Sequence, residues 1–129
     1  MRILYVEDNP ELREIVSMLL EGDGRTVTAC ATAEDALAHD AQEPFDLVMS
    51  DAGLPGISGT ELARTLLAAN PRRWIVLCSG YELGRYPLDW GPHVRTLLKP
   101  FEPEDLERLL DSIDTEMRAS GGSARPTGP

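Results

Sequence analysis

Four short apolar segments of the sequence each end in polar side chains that can bind a metal ion or a phosphoryl group. In chain order these side chains are Glu7 and Asp8, then Asp51, Ser79 and Lys99. Because Mg²⁺ takes carboxylate oxygens and waters as ligands, the three acids are candidate metal ligands. A serine hydroxyl donates to a phosphoryl oxygen, and a lysine ammonium pairs with another. Brought together, these residues predict phosphoryl chemistry that uses a divalent cation.

Each of these residues also has a simpler interpretation. Acids at strand ends often cap a helix or face solvent, and Asp51 can begin a turn before Gly53. Ser79 precedes a glycine, as many turn serines do. Lys99 is the single lysine among twelve basic residues, which codon usage alone also explains. Their joint occurrence at four predicted strand ends is far less expected by chance than any one of them.

The segments that position these residues alternate between strand and helix patterns. The predicted strands cover residues 3–6, 26–31, 47–49, 74–77 and 94–98. Asn9-Pro10 and Glu102-Pro103 place proline at a first helical position, and Ser58 with Glu61 resembles a capping box. Continuously apolar strands separated by helices predict a parallel sheet with both faces covered, in a doubly wound α/β fold. Ligands of such sheets lie at the carboxyl ends of the strands, which places the candidate residues at one rim.

Composition excludes several classes of function. The 129 residues fit one domain, and 22 acids against 12 bases give a net charge of −10. Without a Lys/Arg run, direct binding to nucleic acid is not expected. No apolar stretch is long enough for membrane insertion, and the first residues lack a signal peptide's apolar run. The chain has two cysteines, Cys30 and Cys78, which are too few for a disulfide framework or a four-cysteine zinc site. We therefore expect reduced thiols and a cytoplasmic protein.

The chain is predicted to contain a domain over residues 1–118 and a disordered tail or linker over residues 119–129. The tail reads ASGGSARPTGP and has no apolar residue larger than alanine that could pack in a core. Met1 directly before the first strand favours a natural N-terminus, while the tail fits either a stop or a linker.

Four motifs resemble those of receiver domains of two-component response regulators, and the resemblance covers residues 1–118. The motifs are VED at 6–8, SDAGLPGISG at 50–59, LCSGY at 77–81 and LLKPF at 97–101. The resemblance implies a (βα)5 sheet with strand order 2-1-3-4-5. It also implies a role for each site residue. Asp51 would be the phosphoacceptor, Ser79 the switch hydroxyl, and Lys99 the contact to the phosphoryl group, with a cis peptide bond between Lys99 and Pro100. The metal contacts would be Glu7, Asp8, Asp51 and the Gly53 carbonyl.

The resemblance further implies the function. A histidine kinase or phosphotransfer protein would supply the phosphoryl group to Asp51 in the presence of Mg²⁺ (or Mn²⁺), and the domain would then change its contacts with a downstream protein. Such a domain is not an enzyme, since it promotes only its own phosphorylation and dephosphorylation. Gly53 and Tyr81, each two residues beyond a site residue, would tune the decay of the acyl phosphate.

One position and one segment depart from the family pattern. Thr96 stands where members usually carry tyrosine or phenylalanine. The segment 81–92 contains two glycines and two prolines and lacks a helical period, so we expect an irregular, mobile segment in place of a fourth helix. Its Tyr81, Tyr86 and Trp90 either close over the sheet edge or supply the aromatic side chain that is missing at Thr96.

Three other interpretations remain open from the sequence. A haloacid dehalogenase-type phosphatase would need a second acid two residues after its nucleophile, where this chain has Gly53. A receiver-like protein-binding module would work without phosphorylation, which the complete set of acids, serine and lysine disfavours. The chain could also be a receiver fragment of a hybrid histidine kinase.

Overall fold

A computed structural model describes residues 1–22 and 24–120, and within them five parallel strands form one sheet with four α-helices around it. The strands are β1 (Arg2–Val6), β2 (Thr26–Cys30), β3 (Leu47–Asp51), β4 (Trp74–Ser79) and β5 (Val94–Leu98). The helices are α1 (Pro10–Leu20), α2 (Ala33–Gln42), α3 (Gly59–Ala69) and α4 (Pro103–Ala119). The strand order is β2-β1-β3-β4-β5. The predicted doubly wound fold and its strand order are therefore confirmed.

The helices begin where the sequence predicts them to begin. Asn9 and Ser58 each accept a hydrogen bond from the backbone N–H three residues later, which satisfies a donor that the helix itself leaves free. Helix α4 begins with a reciprocal capping box between Glu102 and Asp105. Because these caps act within one turn, the sequence is enough to locate them.

The three central strands, β1, β3 and β4, are buried on both faces, and successive residues of each strand point into different layers. Leu4 packs with α2 and α3, whereas its neighbours Ile3 and Tyr5 pack with α1 and α4. The same alternation runs along β3 and β4, whose residues 47–49 and 74–77 are all buried. Two apolar layers explain why these strands read as unbroken apolar runs in the sequence.

A buried ion pair joins three elements at the amino ends of the central strands. The guanidinium of Arg73 donates to both oxygens of Asp40, at 3.0 and 2.7 Å. Asp40 also accepts the backbone N–H of Phe45 at 3.1 Å. This pair ties α2 to the segments that lead into β3 and β4, at the end of the sheet opposite the candidate site.

A single 3-10 turn, Pro87–Trp90, replaces a regular helix between β4 and β5, as the sequence predicts. Pro87 is buried. Trp90 is partly buried and packs against the core beside α3. An added Cβ at Gly91 would lie 2.7 Å from the carbonyl oxygen of Pro71, so the chain closely approaches the turn that follows α3. Tyr81 and Tyr86 are exposed. One ring of the segment therefore closes over the sheet while two face outward, and the predicted mobility stays a prediction.

Both cysteines are buried free thiols, as expected. Burial raises the pKa of Cys30 to about 11 and that of Cys78 to about 12, so neither thiol ionises near neutral pH.

The last helix ends at Ala119, one residue inside the predicted tail. Residues 121–129 lie outside the described residues, so the division of the chain at residue 118 stays a prediction. Among the described helices, none is both long and apolar enough to cross a membrane.

Candidate functional site

Glu7 and Asp51 lie side by side at the carboxyl ends of neighbouring strands. In the pairing of β1 with β3, Val6 stands opposite Ser50, so the residues that follow them are adjacent. Glu7 is only 2% exposed, and Asp51 is partly buried. Parallel strands alone bring these two carboxylates together, as the rule for strand ends predicts.

Lys99 reaches both carboxylates from the end of β5. Its Nζ donates to Glu7 Oε1 at 3.2 Å and to Asp51 Oδ1 at 3.3 Å. Burial lowers the pKa of Lys99, but the charges of Asp51 and Glu7 raise it more, so its pKa lies above the ordinary value. The ammonium is therefore charged at neutral pH. The Lys99-Pro100 peptide bond is cis, as the resemblance implies.

Glu7, Asp8 and Asp51 can offer one oxygen each to a cation. These three oxygens lie within 4.8 Å of one another. Glu7 is buried and Asp8 is exposed, so the open side of the cluster leaves room for waters. Oxygen ligands with retained waters suit Mg²⁺ and Mn²⁺ better than metals that prefer sulfur or imidazole. Gly53, whose carbonyl was predicted as a further contact, lies in the exposed turn after β3.

Ser79 is the last residue of β4, one position beyond the residue that pairs with Asp51. Its Oγ accepts the backbone N–H of Tyr81 at 3.2 Å, which leaves the hydroxyl hydrogen available to another acceptor. A cavity of about 320 Å³ lies beside it and is lined in part by Leu83, Thr96 and Leu98. The short side chain at Thr96 therefore borders an unfilled space next to the hydroxyl.

The backbone of Asp51 is held from two sides. Ser50 Oγ donates to the Asp51 carbonyl oxygen at 2.9 Å. An added Cβ at Gly59 would lie 1.8 Å from that same oxygen, so only glycine allows α3 to begin this close to β3. The carboxylate of Asp51 thus projects from a backbone with little freedom.

Sequence reasoning missed the residues that hold the turn between β1 and α1. The Asn9 backbone N–H donates to Glu7 Oε2 at 3.2 Å. Arg13 Nη1 donates to the Glu7 carbonyl oxygen at 2.8 Å. The Glu7 backbone N–H in turn donates to the carbonyl oxygen of Cys30 at 3.1 Å. Arg13 lies one helical turn after the cap residue Asn9, and this spacing was the available signal for a side chain that points back to the strand end.

Together these side chains can accept and stabilise a phosphoryl group. A carboxylate in a fixed position offers an oxygen nucleophile, and Lys99 offers positive charge beside it. Phosphoryl transfer needs mainly positioning and charge neutralisation from the protein. The three acids supply the place for a cation that would contribute further positive charge.

Comparisons with known proteins agree with this arrangement. The sequence model described as "Response regulator receiver domain" matches residues 3–111. The receiver protein CpdR of Brucella abortus is 32% identical, with 87% of this chain and 95% of CpdR covered. The response regulator PhoP of Pseudomonas aeruginosa is 31% identical over 98% of this chain, which spans only 56% of PhoP. The structure of TrrA from Thermotoga maritima with Mg(2+)-BeF, at 28% identity, has a TM-score of 0.76 and covers 87% of this chain and 97% of TrrA.

Proposed function

Since the chain belongs to the response regulator receiver family of two-component systems, we propose that it accepts a phosphoryl group on Asp51 in a Mg²⁺-dependent reaction. The donor would be a phosphohistidine of a histidine kinase or phosphotransfer protein. Receiver domains are signalling domains, and here the phosphoryl group would switch contacts with a downstream protein.

The positions of the side chains support the following chemistry. An Asp51 carboxylate oxygen attacks phosphorus, the bond from phosphorus to the histidine nitrogen breaks, and that nitrogen keeps the electron pair and takes a proton. Lys99, which lies 3.3 Å from Asp51 Oδ1, pairs with a phosphoryl oxygen once Asp51 carries the phosphoryl group as an acyl phosphate. The Ser79 hydroxyl donates to a second phosphoryl oxygen. Glu7, Asp8, Asp51 and the Gly53 carbonyl would hold the cation, which would supply positive charge to neutralise the phosphoryl oxygens.

One observation carries the proposal: Lys99 contacts two of the three acids that can share a cation. An ammonium that served only to neutralise the buried Glu7 would not need the partly exposed Asp51 as well. The acids compete for one ammonium, which leaves negative charge for a divalent cation to balance. This arrangement fits a site that exchanges charged groups better than a static ion pair.

Phosphate uptake tests the proposal directly. The chain is incubated with acetyl phosphate and Mg²⁺, and its intact mass is measured. Wild type should gain one phosphate, Asp51→Asn should gain none, and Asp111→Asn on the exposed face of α4 should behave as wild type. Removal of Mg²⁺ with a chelator should abolish the gain. Equal uptake by Asp51→Asn would overturn the assignment.

The partners and the setting are part of the same proposal. A net charge of −10 disfavours direct binding to nucleic acid, so a protein is the proposed target of the output, in the cytoplasm and without membrane insertion. The exposed Gly53 and Tyr81 would set how readily water reaches the acyl phosphate. The length matches a separate receiver such as CpdR and also a part of a longer protein such as PhoP. A receiver fragment of a hybrid histidine kinase is the alternative proposal for a longer protein.

A module that works without phosphorylation is the second candidate function. It is favoured by the absence of a regular helix between β4 and β5 and by Thr96, because both alter the region beside Ser79. A wild-type chain that neither binds Mg²⁺ nor gains phosphate would support this second candidate instead.

A further inference from the structure

Arg13 contacts the turn that carries two of the candidate metal acids, Glu7 and Asp8. Its side chain leaves the first turn of α1 and is only partly exposed. Nη1 donates to the carbonyl oxygen of Glu7 at 2.8 Å. Arg13 thus contacts the main chain of Glu7, whereas Lys99 contacts its carboxylate.

The contact restrains the direction of the next residue, Asp8. The Glu7 carbonyl belongs to the peptide group that joins Glu7 to Asp8, and a peptide group is planar and stiff. Holding this oxygen therefore restrains the plane from which the Asp8 backbone continues. Since the Asp8 side chain is exposed, packing does little to orient it, and its position depends on the turn.

We infer that Arg13 is a positioning residue for the metal site, because it holds the turn in which Glu7 and Asp8 lie. The inference rests on the proposed function, since it concerns the same cation. Residues beyond the direct ligands commonly orient those ligands, and their loss typically weakens metal binding 10- to 100-fold. Arg13 would act in this way through the backbone.

The positive charge of Arg13 should weaken Mg²⁺ binding, whereas its hydrogen bond to the Glu7 carbonyl should strengthen it. A guanidinium next to an acidic cluster repels an incoming cation, so removing the charge alone should tighten Mg²⁺ binding. Loss of the bond to the Glu7 carbonyl should weaken Mg²⁺ binding. The sign of the change therefore separates the two effects of Arg13.

The test is a Mg²⁺ titration of the whole chain, followed by NMR through the backbone amide signals of residues 7–9 and 51–53. Arg13→Met removes both the charge and the donors and should bind Mg²⁺ about tenfold more weakly than wild type. Arg13→Lys keeps the charge and one donor group, so its Mg²⁺ affinity should fall between the affinities of wild type and Arg13→Met. Arg108→Met is the control, because Arg108 is exposed on α4, where it pairs with Asp105 at 3.5 Å.

The outcomes are distinct. Unchanged or tighter binding by Arg13→Met, with wild-type affinity in Arg108→Met, would overturn the inference and leave the proposed function intact. Wild-type protein that binds no Mg²⁺ would overturn the proposed function itself. If Arg13→Met does not fold, as judged by its NMR spectrum, Arg13→Leu, which also lacks both the charge and the donors, replaces it with the same criterion. A urea midpoint measured without Mg²⁺ separates a general loss of stability from a local change in the turn.

Discussion

The Lys99 ammonium lies 3.2 Å from the Glu7 carboxylate, although the two residues are 92 positions apart in the chain. Glu7 is 2% exposed, so its charge is costly to bury unless donors satisfy it. Lys99 and the Asn9 backbone N–H are those donors. The contact joins the ends of β1 and β5 across the two strands that lie between them.

Lys99→Ala should lower the free energy of unfolding by about 2 kcal/mol, because it leaves the buried Glu7 carboxylate without its charged donor. Urea unfolding at neutral pH without Mg²⁺ measures the loss. Lys99→Arg, which keeps the positive charge, should lose less. The idea fails if Lys99→Ala unfolds at the same urea concentration as wild type.

The stability that Lys99 contributes should not depend on pH near neutrality. Its pKa is raised in the folded chain, because the charges of Asp51 and Glu7 outweigh the effect of burial. A raised pKa means that the contribution is complete below the unfolded pKa of about 10.4 and is lost as pH rises through the folded value. The difference in unfolding free energy between wild type and Lys99→Ala should therefore be constant over about pH 6–9. A difference that shrank between pH 7 and 9 would contradict this assignment.

Asp8→Ala should change stability in opposite directions with and without Mg²⁺. Without the ion, the variant should be at least as stable as wild type, because one of three mutually repelling carboxylates is gone. With Mg²⁺ at about 100 times its Kd, wild type should gain about 2.7 kcal/mol. The variant should gain much less. Thermal unfolding at several Mg²⁺ concentrations measures both effects, and an equal Mg²⁺-induced gain in Asp8→Ala would place the ion elsewhere.

Asp40→Ala should destabilise the fold by about 3–5 kcal/mol, since it leaves the buried Arg73 guanidinium unpaired. The double variant Asp40→Ala with Arg73→Met should recover part of the loss, because no charge is then left buried. Urea unfolding of the four proteins completes the cycle. Additive losses would show that the pair contributes no coupling.

Hydrogen exchange should show the segment 81–92 opening more easily than β4. It has one short 3-10 turn and exposed tyrosines, so few buried contacts oppose its opening. Addition of beryllofluoride with Mg²⁺, which mimics the phosphoryl group, should slow exchange there if the segment responds to Ser79. Peptides from β4 serve as the reference. Exchange as slow as that of β4 in both states would rule out a switching role.

Trp90→Ala is a matched variant for the hydrogen-exchange experiment, because Trp90 is the expected anchor of the segment 81–92. The ring packs against the core, with the Tyr86 ring edge-on at 5.4 Å and the Arg64 guanidinium 5.5 Å from its centre. Trp90→Ala should release residues 87–90 and speed their exchange, while exchange in β4 stays nearly unchanged. If exchange over 87–90 did not change, Trp90 would not be the anchor of the segment.

The sequence by itself determined the elements and the composition of the rim. Asn9, Ser58 and Glu102 mark helix starts because caps depend on neighbours three residues away. Apolar runs mark the strands, and the rule for parallel sheets puts their polar ends together. Glu7, Asp51 and Lys99 were therefore predictable as neighbours without coordinates, although their roles in phosphoryl transfer stay a proposal.

Only the tertiary structure decided which partner each side chain takes among residues far apart in the chain. The Asp40–Arg73 pair spans 33 positions, and nothing in the local pattern of either residue points to the other. Likewise, the path of the segment 81–92 follows from Trp90 and Gly91 meeting α3 and its following turn. Such contacts are set by the packing of whole elements, whereas periodicity and capping report only on the residues within one turn or one strand.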